Sequence, residues 1–218
     1  MKKFAIIGLG KFGHYLATGL YEKGHEVLAL DKKPNCVQPI KDLVSQAIVA
    51  DATDKHALEL LGINEMDSVV VCIGSLSNSI LAVFNLKDLA VETIFAKSIS
   101  EAHERILYKV GATEVFFPEK DTAISLAEKM HNPNMLDYLP FLDGYNIIDF
   151  AVPNRFIGKS LQELNLINKL GILIIAIKEI VPEQLNFIPK GNFILKDSDI
   201  MILLGDNKAF EKLRKIAQ

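Results

Sequence analysis

The chain has 218 residues, half of them apolar, with 24 basic and 27 acidic side chains, two cysteines and no tryptophan. That composition supports a folded core in one or two domains and excludes a large multidomain enzyme. A net charge of −3 with no basic arm gives no field to gather nucleic acid, and the longest apolar run, residues 172–177, is far short of the roughly 20 residues a membrane span needs.

Met-Lys-Lys-Phe-Ala-Ile-Ile-Gly opens the chain, with an apolar stretch too short for a secretory signal, so a cytoplasmic location is expected. Apolar runs at residues 4–7, 27–30, 47–50, 68–73, 93–96 and 114–117 then alternate with helix-period segments, marked by pairs such as Leu81 and Phe84 or Ile106 and Val110. Continuous apolarity means that both strand faces are covered, so this order predicts a Rossmann-like, doubly wound parallel α/β sheet. Cys36 and Cys72 lie in different segments and read as reduced thiols.

A helix over 121–130 follows, and His131-Asn-Pro-Asn134 breaks it. The expected division is a nucleotide-binding domain over 1–132, with 120–131 as a crossover helix, and a small α+β domain over 136–218. In the latter, strands are predicted at 146–152, 172–177, 187–195 and 199–204. A short helix is predicted at 161–164, and a closing helix over 207–216 is capped by Asp206.

Gly8-Leu9-Gly10-Lys11-Phe12-Gly13 follows the first strand directly and opens a helix. The first glycine permits the tight turn, the second lets a pyrophosphate approach the backbone, and the third lets helix and strand pack closely. The helix N-terminus supplies unpaired amides and partial positive charge. Asp31 ends the second strand about 20 residues on, where a carboxylate accepts both ribose hydroxyls and repels a 2′-phosphate. Lys32 and Lys33 soften that repulsion, and Lys33 is itself a candidate contact. Asp51 and Ala52 end the third strand on the adenine side, with Thr53 or Asp54 as a helix cap. Gly74 and Lys97 end the fourth and fifth strands on the same edge. Lys97 reads equally as a phosphate contact or a solvated lysine.

A nicotinamide dehydrogenase also needs a proton-transfer group, commonly in a second domain. All five histidines, His14, His25, His56, His103 and His131, precede the expected boundary, and each reads as a surface or packing residue. A small NAD-dependent oxidoreductase is therefore the weaker alternative.

The motifs together resemble a known family. Gly8 to Gly13, Gly24-His25-Glu26-Val27, Ala29-Leu30-Asp31, Ala50 to Asp54, Leu61-Gly62-Ile63, Val70 to Gly74, Leu107 to Ala112 and Phe117 to Asp121 are similar to the regulator-of-potassium-conductance (RCK) domain. Gly158 to Leu161, Leu164-Asn165, Gly171, Ile175 to Lys178 and Asp197 to Gly205 are similar to its C-terminal companion domain. The resemblance is to the cytosolic gating subunits of Trk/Ktr potassium transporters. It implies a non-enzymatic subunit that binds ATP, ADP or NAD(H), dimerises into an octameric ring, and docks beneath a potassium-translocating membrane subunit at the cytoplasmic face.

The resemblance also implies that Gly8, Gly10 and Gly13 form the phosphate turn, Asp31 holds the ribose, and Asp51 and Ala52 flank the adenine. It further implies that Glu119 helps to hold a Mg2+ or Ca2+ ion near the terminal phosphate. Pro118-Glu119 reads equally as an ordinary helix start. Lys11 stands where many members carry an arginine that reaches a terminal phosphate, so the charge is kept without the bidentate fork. Some relatives bind cyclic di-AMP with an arginine after the Leu-Asn pair; Leu166-Ile167 stands there instead, which argues against that ligand.

Overall fold

The computed structural model describes residues 1–131, 134–142 and 144–217. Six strands, β1 (Lys3–Ile7), β2 (Glu26–Asp31), β3 (Gln46–Val49), β4 (Ser68–Val71), β5 (Ile94–Lys97) and β6 (Glu114–Phe116), form a parallel sheet in the order β3-β2-β1-β4-β5-β6. Each lies on an apolar run read as a strand in the sequence. The connecting helices are α1 (Lys11–Glu22), α2 (Pro34–Val37), α3 (Lys55–Leu60), α4 (Leu76–Asp88) and α5 (Glu101–Val110), and α6 (Pro118–His131) follows β6. Strand order reverses between β1 and β4, so a crevice opens outside their carboxyl ends.

Side chains alternate between two buried layers. Ala5, Ile7, Leu28, Leu30, Val69 and Val71 share one cluster with Leu58 of α3, Leu86 of α4 and Leu107 of α5. Ile6, Val27, Ala29 and Val70 share the other with Ala17 of α1 and Val37 of α2. Burial on both faces is why the strands read as unbroken apolar runs. Each fully buried Leu, Ile or Val contributes about 1.5–3 kcal/mol.

The backbone divides into two compact units, Met1–Glu119 and Lys120–Gln218. The expected domain boundary at Asn132 lies outside the described residues. In the second unit, β7 (Met135–Leu142), β8 (Tyr145–Ala151), β9 (Leu173–Glu179), β10 (Gln184–Phe187) and β11 (Ile200–Asp206) form an antiparallel sheet ordered β10-β9-β11-β8-β7. It is accompanied by α7 (Leu161–Leu164), α8 (Leu166–Leu170) and α9 (Asn207–Ala217). Ile148, Phe150, Ile177, Met201 and Leu203 bury against Ala209, Phe210 and Leu213, one stripe of α9. Asp206 caps α9 as expected, with Oδ1 accepting the Ala209 N–H at 2.6 Å.

Two differences from the sequence reading have local causes. The predicted strand over 187–195 ends at Phe187, because Ile188 turns to φ +50° before Pro189. A tight turn then follows, in which the Phe193 N–H donates to the Lys190 carbonyl at 2.9 Å. One residue from that stretch, Ile194, bridges to Ser160. Conversely, β7 has no counterpart among the predicted strands; it lies at the sheet edge, the setting in which a strand tolerates a proline such as Pro140. Among the described residues, no helix is long and apolar enough to cross a membrane.

Candidate functional site

β1 delivers the chain into Gly8, which sits at φ +93°. A Cβ there would lie 3.0 Å from the Cys72 carbonyl carbon and the Ile73 nitrogen, and one on Gly13 would lie 2.0 Å from the Gly8 carbonyl oxygen. Both positions therefore exclude a side chain, the first also by its left-handed backbone. Gly10 faces open space and is the N-cap of α1. No side chain caps that helix, so its first N–H groups remain for a ligand.

Asp31 ties the end of β2 to this loop. Its Oδ2 accepts the Leu9 N–H and its Oδ1 accepts the Lys33 N–H, both at 2.8 Å. Across the crevice, Asp51 Oδ1 accepts the Thr53 N–H at 3.0 Å and the Thr53 hydroxyl at 2.8 Å. The Thr53 backbone bond, then the hydroxyl bond, hold the Asp51 carboxyl below its ordinary range. Asp54 caps α3, accepting the N–H groups of His56 at 3.0 Å and Ala57 at 3.3 Å.

These elements enclose a cleft of about 420 Å³. Six of the expected contacts line it: Gly10, Asp31, Lys33, Asp51, Ala52 and Gly74. Ile7, Lys32, Cys36, Ala50, Cys72, Ile73, Ser75 and Asn78 complete the lining. Cys72 is buried and its thiol is pushed up to about 12 by desolvation, so it acts as an inert apolar wall.

Gly8 and Gly13 shape the turn behind that lining, and Lys11, Phe12, Lys97 and Glu119 are not part of it. Lys11 is exposed, while the Phe12 ring packs against Phe116 with centroids 5.2 Å apart. Lys97 is largely covered and paired: its side chain is 12% exposed and its ammonium donates to Glu119 Oε1 at 2.5 Å. That bond holds the Glu119 carboxyl below its usual value. Glu119 also occupies the first turn of α6, where the helix dipole favours negative charge.

Among the described residues, no histidine lines the cleft. His103 and Ser79 are both fully buried, with His103 Nε2 and Ser79 Oγ 3.0 Å apart. The Ile99 N–H donates to His103 Nδ1 at 3.3 Å, so Nε2 carries the ring proton and donates to Ser79. The Ser79 hydroxyl then donates to the Leu76 carbonyl at 3.0 Å. This chain pins the start of α4, beside Gly74 and Ser75, to the loop after Lys97. Nothing in the sequence pattern distinguishes Ser79 or His103 from ordinary helix residues.

Residues 4–118 match the TrkA-N domain and residues 147–218 match the TrkA-C domain. The chain is 35% identical over 215 residues to Ktr system potassium uptake protein C of Bacillus subtilis (strain 168), spanning 97% of this chain and 96% of that one. It is 33% identical over 217 residues to Ktr system potassium uptake protein A of Vibrio alginolyticus, spanning 99% and 98%. Among solved structures, a GsuK channel bound to NAD shares the fold with a TM-score of 0.70 at 18% identity, covering 100% of this chain and 39% of that one. A parallel sheet with its glycine turn, followed by the antiparallel unit, thus carries both domains in the same order, and the chain belongs to the TrkA-N and TrkA-C domain family, alongside the Ktr potassium uptake proteins.

Proposed function

We propose that this chain is the nucleotide-binding regulatory subunit of a Trk/Ktr-type potassium uptake system. The observation that carries it is the cleft at the β1/β4 crevice, where the Gly10 turn, the Asp31 carboxylate and the Asp51–Ala52 wall converge. Near full-length likeness to potassium uptake proteins supports the transport role. The nucleotide, ATP or ADP with NAD(H) as the alternative, is a signal and is not transformed. Gly8, Gly10 and Gly13 present the backbone to its diphosphate, Asp31 meets the ribose, Lys33 and Gly74 border it, and Asp51 and Ala52 hold the base.

The diphosphate is common to ATP and ADP, so the switch resides in contacts that one of them makes and the other does not. Lys11 and Glu119 are those contacts, with Lys97 as the internal partner of Glu119. Among the described residues, no group of three His, Cys, Asp or Glu residues is placed to hold a metal by itself. The donor set fits a cation shared with the nucleotide: Glu119 offers one carboxylate, and phosphate oxygens and water complete the shell of Mg2+ or Ca2+. Subunits pair and close into a ring at the cytoplasmic face, under a membrane subunit that carries the potassium pathway.

Isothermal titration of the purified chain with ATP, ADP and NADH tests the core of this proposal. Binding of an adenine nucleotide is expected, and binding of none of the three sinks it. Co-purification with a potassium-translocating membrane protein tests the partner.

A further inference from the structure

Asn85 lies on the inner side of α4 and is 6% exposed. Its amide nitrogen donates to the Ala52 carbonyl at 3.3 Å and to the Thr53 carbonyl at 3.0 Å. Two carbonyl oxygens face this side chain, so the end that meets them is the NH2 group. Ala52 is itself 4% exposed and lines the cleft. One buried amide therefore fixes the backbone of the cleft wall from behind.

The loop around Asp51 is held from three directions. Asp54 turns its carboxylate into the start of α3, Thr53 occupies Asp51 Oδ1, and Asn85 takes the two carbonyls. Among the described residues, Asp51 Oδ2 has no hydrogen-bond partner, and Asp51 lines the cleft. A carboxylate held below its ordinary range is an acceptor only.

We propose that Asn85 is a positioning residue for base recognition: by holding the Ala52 and Thr53 carbonyls it keeps Asp51 Oδ2 directed at the base edge, selecting a base that donates from an exocyclic amine. The proposal rests on the cleft holding an adenine nucleotide. Adenine carries such an amine, whereas hypoxanthine presents a carbonyl oxygen at the same position and meets the carboxylate acceptor to acceptor. A site built around one hydrogen bond rejects the analogue that lacks it, because its own polar group is left unpaired. Without Asn85, the buried Ala52 carbonyl and the half-buried Thr53 carbonyl lose their donor, and Asp51 Oδ2 loses its fixed direction.

Isothermal titration of the full chain with ADP and with inosine diphosphate reads this directly, on the natural protein, Asn85→Asp and Asn85→Ala, with a thermal melt to show that each is folded. The natural protein is expected to prefer ADP by about tenfold or more, the scale of one hydrogen bond to a charged group. In the variants the preference falls to within about threefold of unity while the affinity for inosine diphosphate stays within about threefold, since that ligand does not use Asp51 Oδ2. General damage to the cleft would weaken both ligands together, and that result overturns the proposal. So does an unchanged preference in a folded variant, or a natural protein that binds both ligands equally. If the natural protein binds neither, the nucleotide reading itself has failed. Should both variants fail to fold, amide exchange of the natural protein decides: ADP must slow residues 51–54 more than inosine diphosphate does at equal occupancy, and equal slowing overturns the proposal.

Discussion

Asp31 Oδ2 accepts the Leu9 N–H at 2.8 Å, joining the end of β2 to the middle of the glycine turn. The same carboxylate accepts the Lys33 N–H through Oδ1. Asp31 therefore shapes the phosphate turn as well as bordering the cleft. Asp31→Asn keeps the size but replaces one acceptor with a donor, facing N–H groups that also donate. Losing a charge-assisted bond of about 1.5–3 kcal/mol lowers ADP affinity roughly 10- to 100-fold. Isothermal titration measures this, and an unchanged Kd would remove Asp31 from the site.

Lys11 and Glu119 are expected to decide between ATP and ADP. In Lys11→Ala combined with Glu119→Gln, the affinity difference between the two nucleotides disappears, while ADP affinity stays within about threefold. Titrations with both nucleotides, with and without Mg2+, read the outcome. A difference that survives the double substitution places the discrimination elsewhere.

His103 makes stability depend on pH. Burial holds it below the ordinary histidine value, whereas in the unfolded chain it titrates near about 6.5. As pH falls through that range, the unfolded chain binds a proton that the folded chain refuses. Its contribution therefore lowers stability on acidification and restores it toward neutral pH. Urea unfolding at pH 5.5 and 7.5 is expected to show a smaller pH difference in His103→Gln than in the natural protein. Equal differences would mean that the Ser79–His103 contact does not report on pH.

The two cysteines should differ in reactivity. Cys72, with its thiol near 12, stays unmodified by iodoacetamide at pH 8, while the half-buried Cys36 reacts. Because Cys36 lines the cleft, ADP slows its alkylation. Peptide mass spectrometry with and without ADP checks both statements. Modification of Cys72 first would contradict the burial of that wall.

Much of the first unit was legible in the sequence because its strands are covered on both faces and its turn demands glycine. Ile6 and Ile7 serve opposite layers, yet both must be apolar, so the run announces a buried strand. What stayed hidden depends on distant partners. Asn85 and Ser79 look like ordinary polar positions on a helix until the fold brings the Thr53 carbonyl and the His103 ring to them. Lys97 and Glu119 are brought together by the parallel pairing that sets Lys97 opposite Phe116 in neighbouring strands. The second unit was less readable: β7 mixes apolar and polar residues at an edge, and the stretch after Phe187 is apolar enough to pass for a strand while its proline and glycine forbid one.

β1 is paired on both sides, Ile6 with Ala29 and Val70, Ile7 with Leu30 and Val71. Side chains alternate with a strict period of two, so one residue inserted or deleted within Lys3–Ile7 would exchange what the two layers receive from this strand. Conservative replacements inside β1 can be absorbed by repacking, but a change in its length cannot. The glycine turn would shift with it, moving Gly8 out of the left-handed position beside Cys72. Length variation among natural versions of this chain should therefore be absent from residues 3–13 and gather in surface connections such as the turn at Lys190–Phe193.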